Sequence, residues 1–259
     1  TKMYAIDLKG KTAVILGVAN QRSIAASIAG ILQQAGASLA ITYQNDRIRE
    51  NVEKIVEPWT NAFMVECDVS SDENVEAAFE SISTHFGKID IIVHSIAFAN
   101  RDDLGGRFIN TDREGFRLAL DVSAYSLIPV ARFGAPFMTE GGSIMTLTFQ
   151  ASERVFPGYN VMGTAKAALE NEVIQLAHDL GSDGIRVNAI SPGPLDTVSS
   201  RVISGYRDMK RAHQTRSPMG RNVTHEEAAG TALFLSSDLS TGITGQIITV
   251  DTGYGIMGI

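Results

Sequence analysis

A second cysteine is missing from this 259-residue chain. Cys67 stands alone, so no internal disulfide can form and the fold must rest on its core. A lone thiol in the run NAFMVECDV is expected to be a small buried hydrophobe at a strand end, as suits a reducing cytosol. Positive charge is also short. Lys and Arg number 22 against 29 Asp and Glu, which leaves a formal charge of -7 and a pI near 5.3. That balance argues against nucleic acid as a partner, because such a footprint needs a basic excess. A local basic patch for an acidic partner stays open. Long apolar runs are absent too. AVILGVA and IIVHSIAFA fall far short of the roughly 20 residues that span a bilayer, so no membrane insertion is expected. The opening TKMYAIDLKGK has no apolar signal region. These absences point to a soluble cytoplasmic protein. Low-complexity linkers and repeats are lacking as well, so residues 1–259 are read as one domain, large enough to hide roughly 70–75% of its extended surface.

What is present is an alternation. Short β-rich runs occur at 12–18, 38–43, 61–69, 89–97, 142–149, 185–191 and 246–251. Helix-length segments run from Ser23 to Gln34, from Ser70 or Ser71 to Phe86, from Tyr159 to Leu180 and from Thr224 to Ser236. A longer helical region spans Asp112 to Met138, with a break expected near Pro129. Strands that alternate with helices imply a parallel sheet covered on both faces, and near-continuous apolar strands agree with double cover. Right-handed crossovers then leave a Rossmann-type doubly wound sheet of about seven strands as the simplest α/β topology.

In such sheets ligands lie beyond the carboxyl ends of the strands. The first strand runs into Gly17-Val-Ala-Asn-Gln-Arg-Ser23-Ile24, which is not G-x-G-x-x-G. Gly17 is an ordinary turn glycine or a phosphate-loop glycine; Ser23 at a helix mouth, with nearby backbone N–H groups, suits a pyrophosphate. The second strand ends at Gln44, with Asp46 and Arg47 beyond. A neutral amide binds a ribose diol without attracting a 2′-phosphate, which favours NADH, whereas Arg47 keeps NADPH open. Asp68 and Val69 after the third strand suit adenine, though Asp68 equally suits a helix-capping turn. Small residues after the fourth strand, Ser95 to Ala97, let a nucleotide approach the backbone. His94, inside an apolar run, is expected to be a hydrogen-bonded core histidine. No metal-binding set is assigned.

The stretch FQASERVFPGYNVMGTAKAAL places Tyr159 and Lys166 after the fifth strand with six residues between them. Residues at i and i+7 on a helix share nearly one face, about 10 Å apart along the axis. Any long amphipathic helix can hold such a pair, but its place after a parallel strand argues for chemistry. The chain here resembles the short-chain dehydrogenases, whose Tyr-x-x-x-Lys would put the tyrosine at Met162. With the wider spacing it is more similar to one branch, the enoyl-[acyl-carrier-protein] reductases of bacterial fatty-acid synthesis. GVANQRSIAASIA, TYQND, ECDV, HSIAFA, YNVMGTAKAALE, IRVNAIS and GITGQIITVD carry the resemblance over nearly the whole chain.

The resemblance implies cofactor contacts at Gly17, Ser23, Ile24, Gln44, Asp68, Val69, Ser95, Ile96, Lys166, Leu195 and Thr197. It implies Tyr159 as proton relay, Lys166 as its catalytic companion, and Ala99 and Met162 at the substrate. The activity implied is NADH-dependent reduction of an enoyl-acyl carrier protein, by a homotetramer. Residues 195–215 become a substrate-binding loop and helix, with Ile203, Tyr206 and Met209 at helical spacing as an acyl-chain wall. Lys210, Arg211, Arg216 and Arg221 make that region basic enough to attract the acidic carrier, or are solvated surface charge. The tail TVDTGYGIMGI is apolar enough for a subunit contact or for burial within one subunit. The chain departs from the branch at Phe149, where a second tyrosine is usual, and at Pro192, Asp196 and Thr252. Phe149 keeps a ring for the pocket wall but has no hydroxyl to donate. A carbonyl reductase and a nucleotide-binding paralogue without turnover are the competing readings; retention of both Tyr159 and Lys166 argues against the second.

Overall fold

Strands form where branched and apolar residues run unbroken: β1 (Thr12–Leu16), β2 (Ser38–Tyr43), β3 (Ala62–Glu66), β4 (Ile91–His94), β5 (Gly142–Leu147), β6 (Ile185–Pro192) and β7 (Ile247–Val250). In the computed structural model, which describes residues 5–59, 62–198, 200, 203 and 205–258, they make one parallel sheet in the order β3-β2-β1-β4-β5-β6-β7. Asn61, expected to open the third strand, lies outside the described residues.

Helices cover both faces: α1 (Ile24–Gln34), α2 (Asp46–Val56), α3 (Asp72–Phe86), α4 (Arg113–Leu120), α5 (Leu127–Gly134), α6 (Val161–Leu180), α7 (Tyr206–Arg216) and α8 (His225–Leu235). Strand side chains alternate between faces. Val14 and Leu16 therefore pack with Phe79, Leu127 and Leu169 from α3, α5 and α6. Ile15 packs on the opposite side with Ile28, Val52 and Leu235 from α1, α2 and α8. The chain leaves β1 towards β2 on one side and returns to β4 on the other, so the carboxyl ends of β1 and β4 frame the switch-point crevice.

Short polar residues start the helices. Ser23, Asn45, Ser71, Asp112 and Thr224 each accept a backbone N–H of the following turn, and Thr224 with Glu227 closes a reciprocal capping box.

Three expectations need correction. Helix α2 was not foreseen, although Ile48, Val52 and Ile55 are spaced for one apolar face. The long helical region breaks before Pro129, in a π-helical turn at Asp121–Tyr125 where Ser126 N–H bonds to Asp121 O at 3.0 Å. Pro129 has no N–H to return to the carbonyl four residues back, and the ladder is already out of step there. Finally, α6 begins at Val161, so Tyr159 sits in the turn ahead of the helix and not in its first turn.

Candidate functional site

The crevice is built first by glycine. Gly17 has φ +97, and a Cβ there would lie 2.0 Å from the carbonyl oxygen of Ser95. The loops after β1 and β4 thus touch backbone to backbone, and Ser95 N–H bonds to Leu16 O at 3.1 Å. Ser23 turns its hydroxyl to Asn20 O at 2.8 Å and caps α1 by accepting Ala26 N–H at 3.2 Å. The free N–H groups of this helix mouth face the crevice end, where an anion is favoured. Ile24 packs against the small cluster of Leu195, Val223 and Ala228, so two residues expected at the cofactor share one apolar group. Replacing Gly17 with Ala is expected to lower stability by about 2–3 kcal/mol and to abolish dinucleotide binding, read by thermal melting and by fluorescence titration with NADH.

At the tip of β2, exposed Gln44 reaches Asp68 with its amide, Nε2 to Oδ2 at 3.5 Å. The Asp68 carboxylate also accepts the Ser70 N–H at 3.0 Å and hydroxyl at 2.8 Å. Ser71 caps α3, so Asp68 orders the turn without being the cap. Val69 is buried beneath it. Arg47 is exposed on the first turn of α2. Gln44, Asp68 and the Gly17 cradle thus form one polar rim around the ends of β1, β2 and β3. A cradle that a Cβ would fill, beside a helix mouth and a neutral amide, fits a dinucleotide.

His94, at the end of β4, is fully buried. Nδ1 contacts Thr146 Oγ1 at 2.9 Å and Nε2 contacts Ser126 Oγ at 2.8 Å. Burial, with Lys166 nearby, pushes its pKa down to about 3, so the ring is neutral and structural. Cys67 is buried, and desolvation lifts its thiol to about 12, which makes it inert.

Pro157 and Gly158 (φ +85) deliver Tyr159, whose N–H bonds to Phe156 O at 3.0 Å. Asn160 follows with φ 38 and ψ -119, a positive-φ conformation outside the left-handed helical well, and its amide donates to Gly105 O. The Tyr159 ring lies 5.1 Å from Phe149, which in turn lies 4.8 Å from Phe156. The Tyr159 side chain is half-buried. Burial, and secondarily the phenol of Tyr206, holds its pKa above the ordinary value, so it is a neutral donor.

Lys166 is buried on α6 and donates from Nζ to Leu147 O at 2.7 Å. Desolvation pulls its pKa down to about 8, against Glu170 one turn further on. Glu170 is itself bonded by the Thr148 hydroxyl at 2.5 Å.

Helix α7 is tied to the 195–197 segment twice. Tyr206 donates its hydroxyl to Leu195 O, and Lys210 pairs with Asp196. Thr197 N–H bonds to Leu195 O at 2.9 Å and to Ser200 Oγ at 3.1 Å. Ile203, Tyr206 and Met209 are half-buried, as is Ala99; residues 199, 201, 202 and 204 lie outside the described residues. At its far end, α7 stacks His213 on Tyr254, with ring centroids 3.6 Å apart, and lies 5.9 Å from Phe156. An aromatic row thus runs from the C-terminal tail to Tyr159. Ile256 of that tail is exposed. Two of the four expected surface cations are already engaged, Lys210 by Asp196 and Arg221 by Glu227 at 2.6 Å, whereas Arg211 and Arg216 are exposed.

Sequence reasoning missed Asn160, Glu170 and Ser123, whose hydroxyl lies 3.7 Å from Met162 Sδ. The PGYN run held a signal for Asn160; a serine inside a helix held none. Two cavities, of about 540 Å³ beside Asp251 and about 590 Å³ along α4 and α6, are lined by neither Tyr159 nor Lys166. Among the described residues no cluster of His, Cys, Asp and Glu could hold a metal ion, and no helix is long and apolar enough to cross a membrane.

Residues 17–255 match a family model described as Enoyl-(Acyl carrier protein) reductase. The chain is 50% identical over 253 residues to the NADH-dependent enoyl-[acyl-carrier-protein] reductase FabI of Bacillus cereus, covering 97% of this chain and 99% of that relative. It is 48% identical over 251 residues to the NADPH-named FabI of Staphylococcus aureus, covering 96% and 98%. The solved enoyl-(acyl-carrier-protein) reductase of Anaplasma phagocytophilum in complex with NAD superposes with a TM-score of 0.95 at 40% identity, over 100% of this chain and 99% of that one.

Proposed function

The chain belongs to the enoyl-(acyl carrier protein) reductase family, and from that membership we propose how its own residues reduce the trans-2 double bond of an enoyl-acyl carrier protein thioester in fatty-acid elongation. The observation that carries the reading is the half-buried Tyr159 in the turn that leads into α6, the helix on which the buried ammonium of Lys166 is anchored to the Leu147 carbonyl.

Bound NADH supplies the hydride that reaches the β-carbon of the enoyl group. Negative charge then collects on the thioester oxygen, two carbons from the hydride acceptor, and a donor must stand where that charge develops. Tyr159 is that donor. Its phenol stays protonated through neutral pH because burial raises its pKa. The turn at Asn160 takes it off the α6 helical path, and the wider spacing moves it towards the more distant oxygen. Lys166 holds the nicotinamide ribose hydroxyls and adds positive charge to the site. Gly17, Ser23 and Ile24 receive the pyrophosphate end. Gln44 takes the adenosine ribose, Asp68 and Val69 the adenine, and Ser95, Ile96, Leu195 and Thr197 the nicotinamide half.

The neutral Gln44 amide favours NADH over NADPH, with exposed Arg47 beside it as the residue a 2′-phosphate would use. Phe149 has no hydroxyl and walls the pocket with Ala99 and Met162, while Ile203, Tyr206 and Met209 line the acyl side. The 195–197 stretch and α7 form the substrate-binding side of one catalytic domain. Arg211 and Arg216 are the cations left to meet an acidic carrier, in a reducing cytosol. A homotetramer is supported by β7 at the outer edge of the sheet and by the cavity along α4 and α6, where half-buried Glu172 has no partner for Oε2 among the described residues.

The test is loss of NADH with trans-2-enoyl thioesters of graded length, repeated with NADPH and with an acetoacetyl thioester. Crotonyl reduction faster than acetoacetyl reduction is expected. The opposite preference would make the chain a carbonyl reductase, and binding without turnover would make it a nucleotide-binding paralogue.

A further inference from the structure

Between Ser95 and Asn100 the chain passes from β4 over the crevice with no secondary structure. Ser95 is fixed by its bond to Leu16 O at 3.1 Å, and Asn100 O accepts Asp103 N–H at 3.1 Å. Among the described residues, the backbone between them is hydrogen-bonded at one residue alone, Phe98. Its N–H donates to Ser123 Oγ at 2.9 Å, and its carbonyl accepts the Ser123 hydroxyl at 2.8 Å. One hydroxyl therefore satisfies both backbone groups of one residue. The Phe98 side chain is half exposed, so packing does little to hold that residue.

Ser123 reaches the loop because the helix is locally wrong. It sits in the π turn at Asp121–Tyr125, fully buried, where the extra residue re-aims the side chains of the following turn. Ser126, one turn on and on the same side, bonds to His94 at the end of β4. Ser123 also touches α6, at Met162, which lies between Tyr159 and Lys166 in the sequence. A single side chain thus touches the crevice loop and the helix that bears Lys166 and follows directly on Tyr159.

We infer that Ser123 is a positioning residue for the reduction: its two-way clamp on Phe98 sets the Ile96–Ala99 backbone, where nicotinamide and enoyl group meet, relative to Tyr159 and Lys166. This rests on the proposed roles of Ile96, Ala99, Tyr159 and Lys166. A slack loop misplaces the reacting atoms without removing any group that binds them. A displacement of about 1 Å can slow chemistry by about a hundredfold.

The experiment compares Ser123→Ala with Ser126→Ala, a buried serine of the same helix that bonds to His94 and does not touch the loop. Ser123→Ala is expected to lower kcat by between about ten- and a hundredfold, with KM for crotonyl thioester within about threefold, and to raise the primary isotope effect with 4-deuterated NADH. Ser126→Ala is expected to lose thermal stability and keep kcat. Ser123→Cys, which keeps a weak donor of similar size, should fall between wild type and Ser123→Ala; it carries the comparison if Ser123→Ala does not fold. Unchanged kcat and isotope effect in the Ser123 variants, or equal kcat losses in Ser123→Ala and Ser126→Ala, would overturn the inference. Wild-type protein that fails to reduce any enoyl thioester would instead overturn the functional reading beneath it.

Discussion

Tyr159→Phe is expected to lower kcat for enoyl reduction by about 10²–10³-fold while NADH affinity stays within about twofold. The ring is retained, so its contact with Phe149 at 5.1 Å survives. Only the hydroxyl goes, from a side chain that is half-buried. Stability should therefore change by less than about 0.5 kcal/mol, since no buried acceptor is left unsatisfied. What disappears is the donor at the thioester oxygen, whose value is realised only as the enolate charge forms. Stopped-flow single turnovers would separate the chemical step from binding. Turnover equal to wild type would remove Tyr159 from the mechanism. The same geometry gives a pH statement. Burial raises the phenol above its ordinary value of 10.0, so the protonated donor persists and Tyr159 adds no loss of kcat as pH rises to about 9.

The neighbouring Phe149 shows where sequence reading reached and where it stopped. Its lack of a hydroxyl is visible in one letter, and the buried ring packed on Tyr159 is what that letter allows. The sheet was legible for a similar reason: doubly covered strands must be apolar throughout, and β2 matched its expected limits of 38–43. Strand ends were overextended at β1 and β4, because Gly17-Val18 and Ser95-Ile96 are apolar or small without being paired. Of these, Gly17 and Ser95 meet at the crevice where the chain leaves the ladder, whereas Val18 turns into the core.

Other features were not legible because no local propensity encodes them. The π turn at Asp121–Tyr125 has no helix-breaking residue of its own, and the visible breaker, Pro129, lies downstream. Ser123 becomes a clamp only through its distance from Phe98, twenty-five residues earlier in the chain. Helix α2 is different. Its cap at Asn45 and its Ile48-Val52-Ile55 face are both readable in the sequence. Asp196, a departure from the branch pattern, finds its reason only in the fold, as the partner of Lys210 on α7.

Lys166→Met is expected to reduce kcat/KM by at least about 10³-fold, about 4 kcal/mol, chiefly through lost cofactor placement, while the cofactor-free protein does not lose stability. Methionine keeps the apolar stem and removes the ammonium. In the cofactor-free fold that ammonium is desolvated, and its pKa falls from 10.5 to about 8. The sign follows from proton counts. Between about pH 8 and 10.5 the unfolded chain holds this proton and the folded chain has lost it, so folding becomes more favourable as pH rises through that window. Below it, the buried charge opposes folding by roughly 3 kcal/mol. Removing the charge relieves this, offset by about 1–3 kcal/mol for the Leu147 carbonyl that loses its donor. Denaturant melts of the variant should therefore match or exceed wild type at neutral pH and lack the Lys166 contribution to the rise above pH 8. Binding of the anionic dinucleotide favours the charged lysine, so wild-type protein should take up a fraction of a proton per NADH bound near pH 8 to 9. Calorimetry in buffers of different ionisation enthalpy reads that uptake directly, and Lys166→Met should abolish it. A variant that binds NADH as wild type does, with the same proton uptake, would place the cofactor's anchor on another residue.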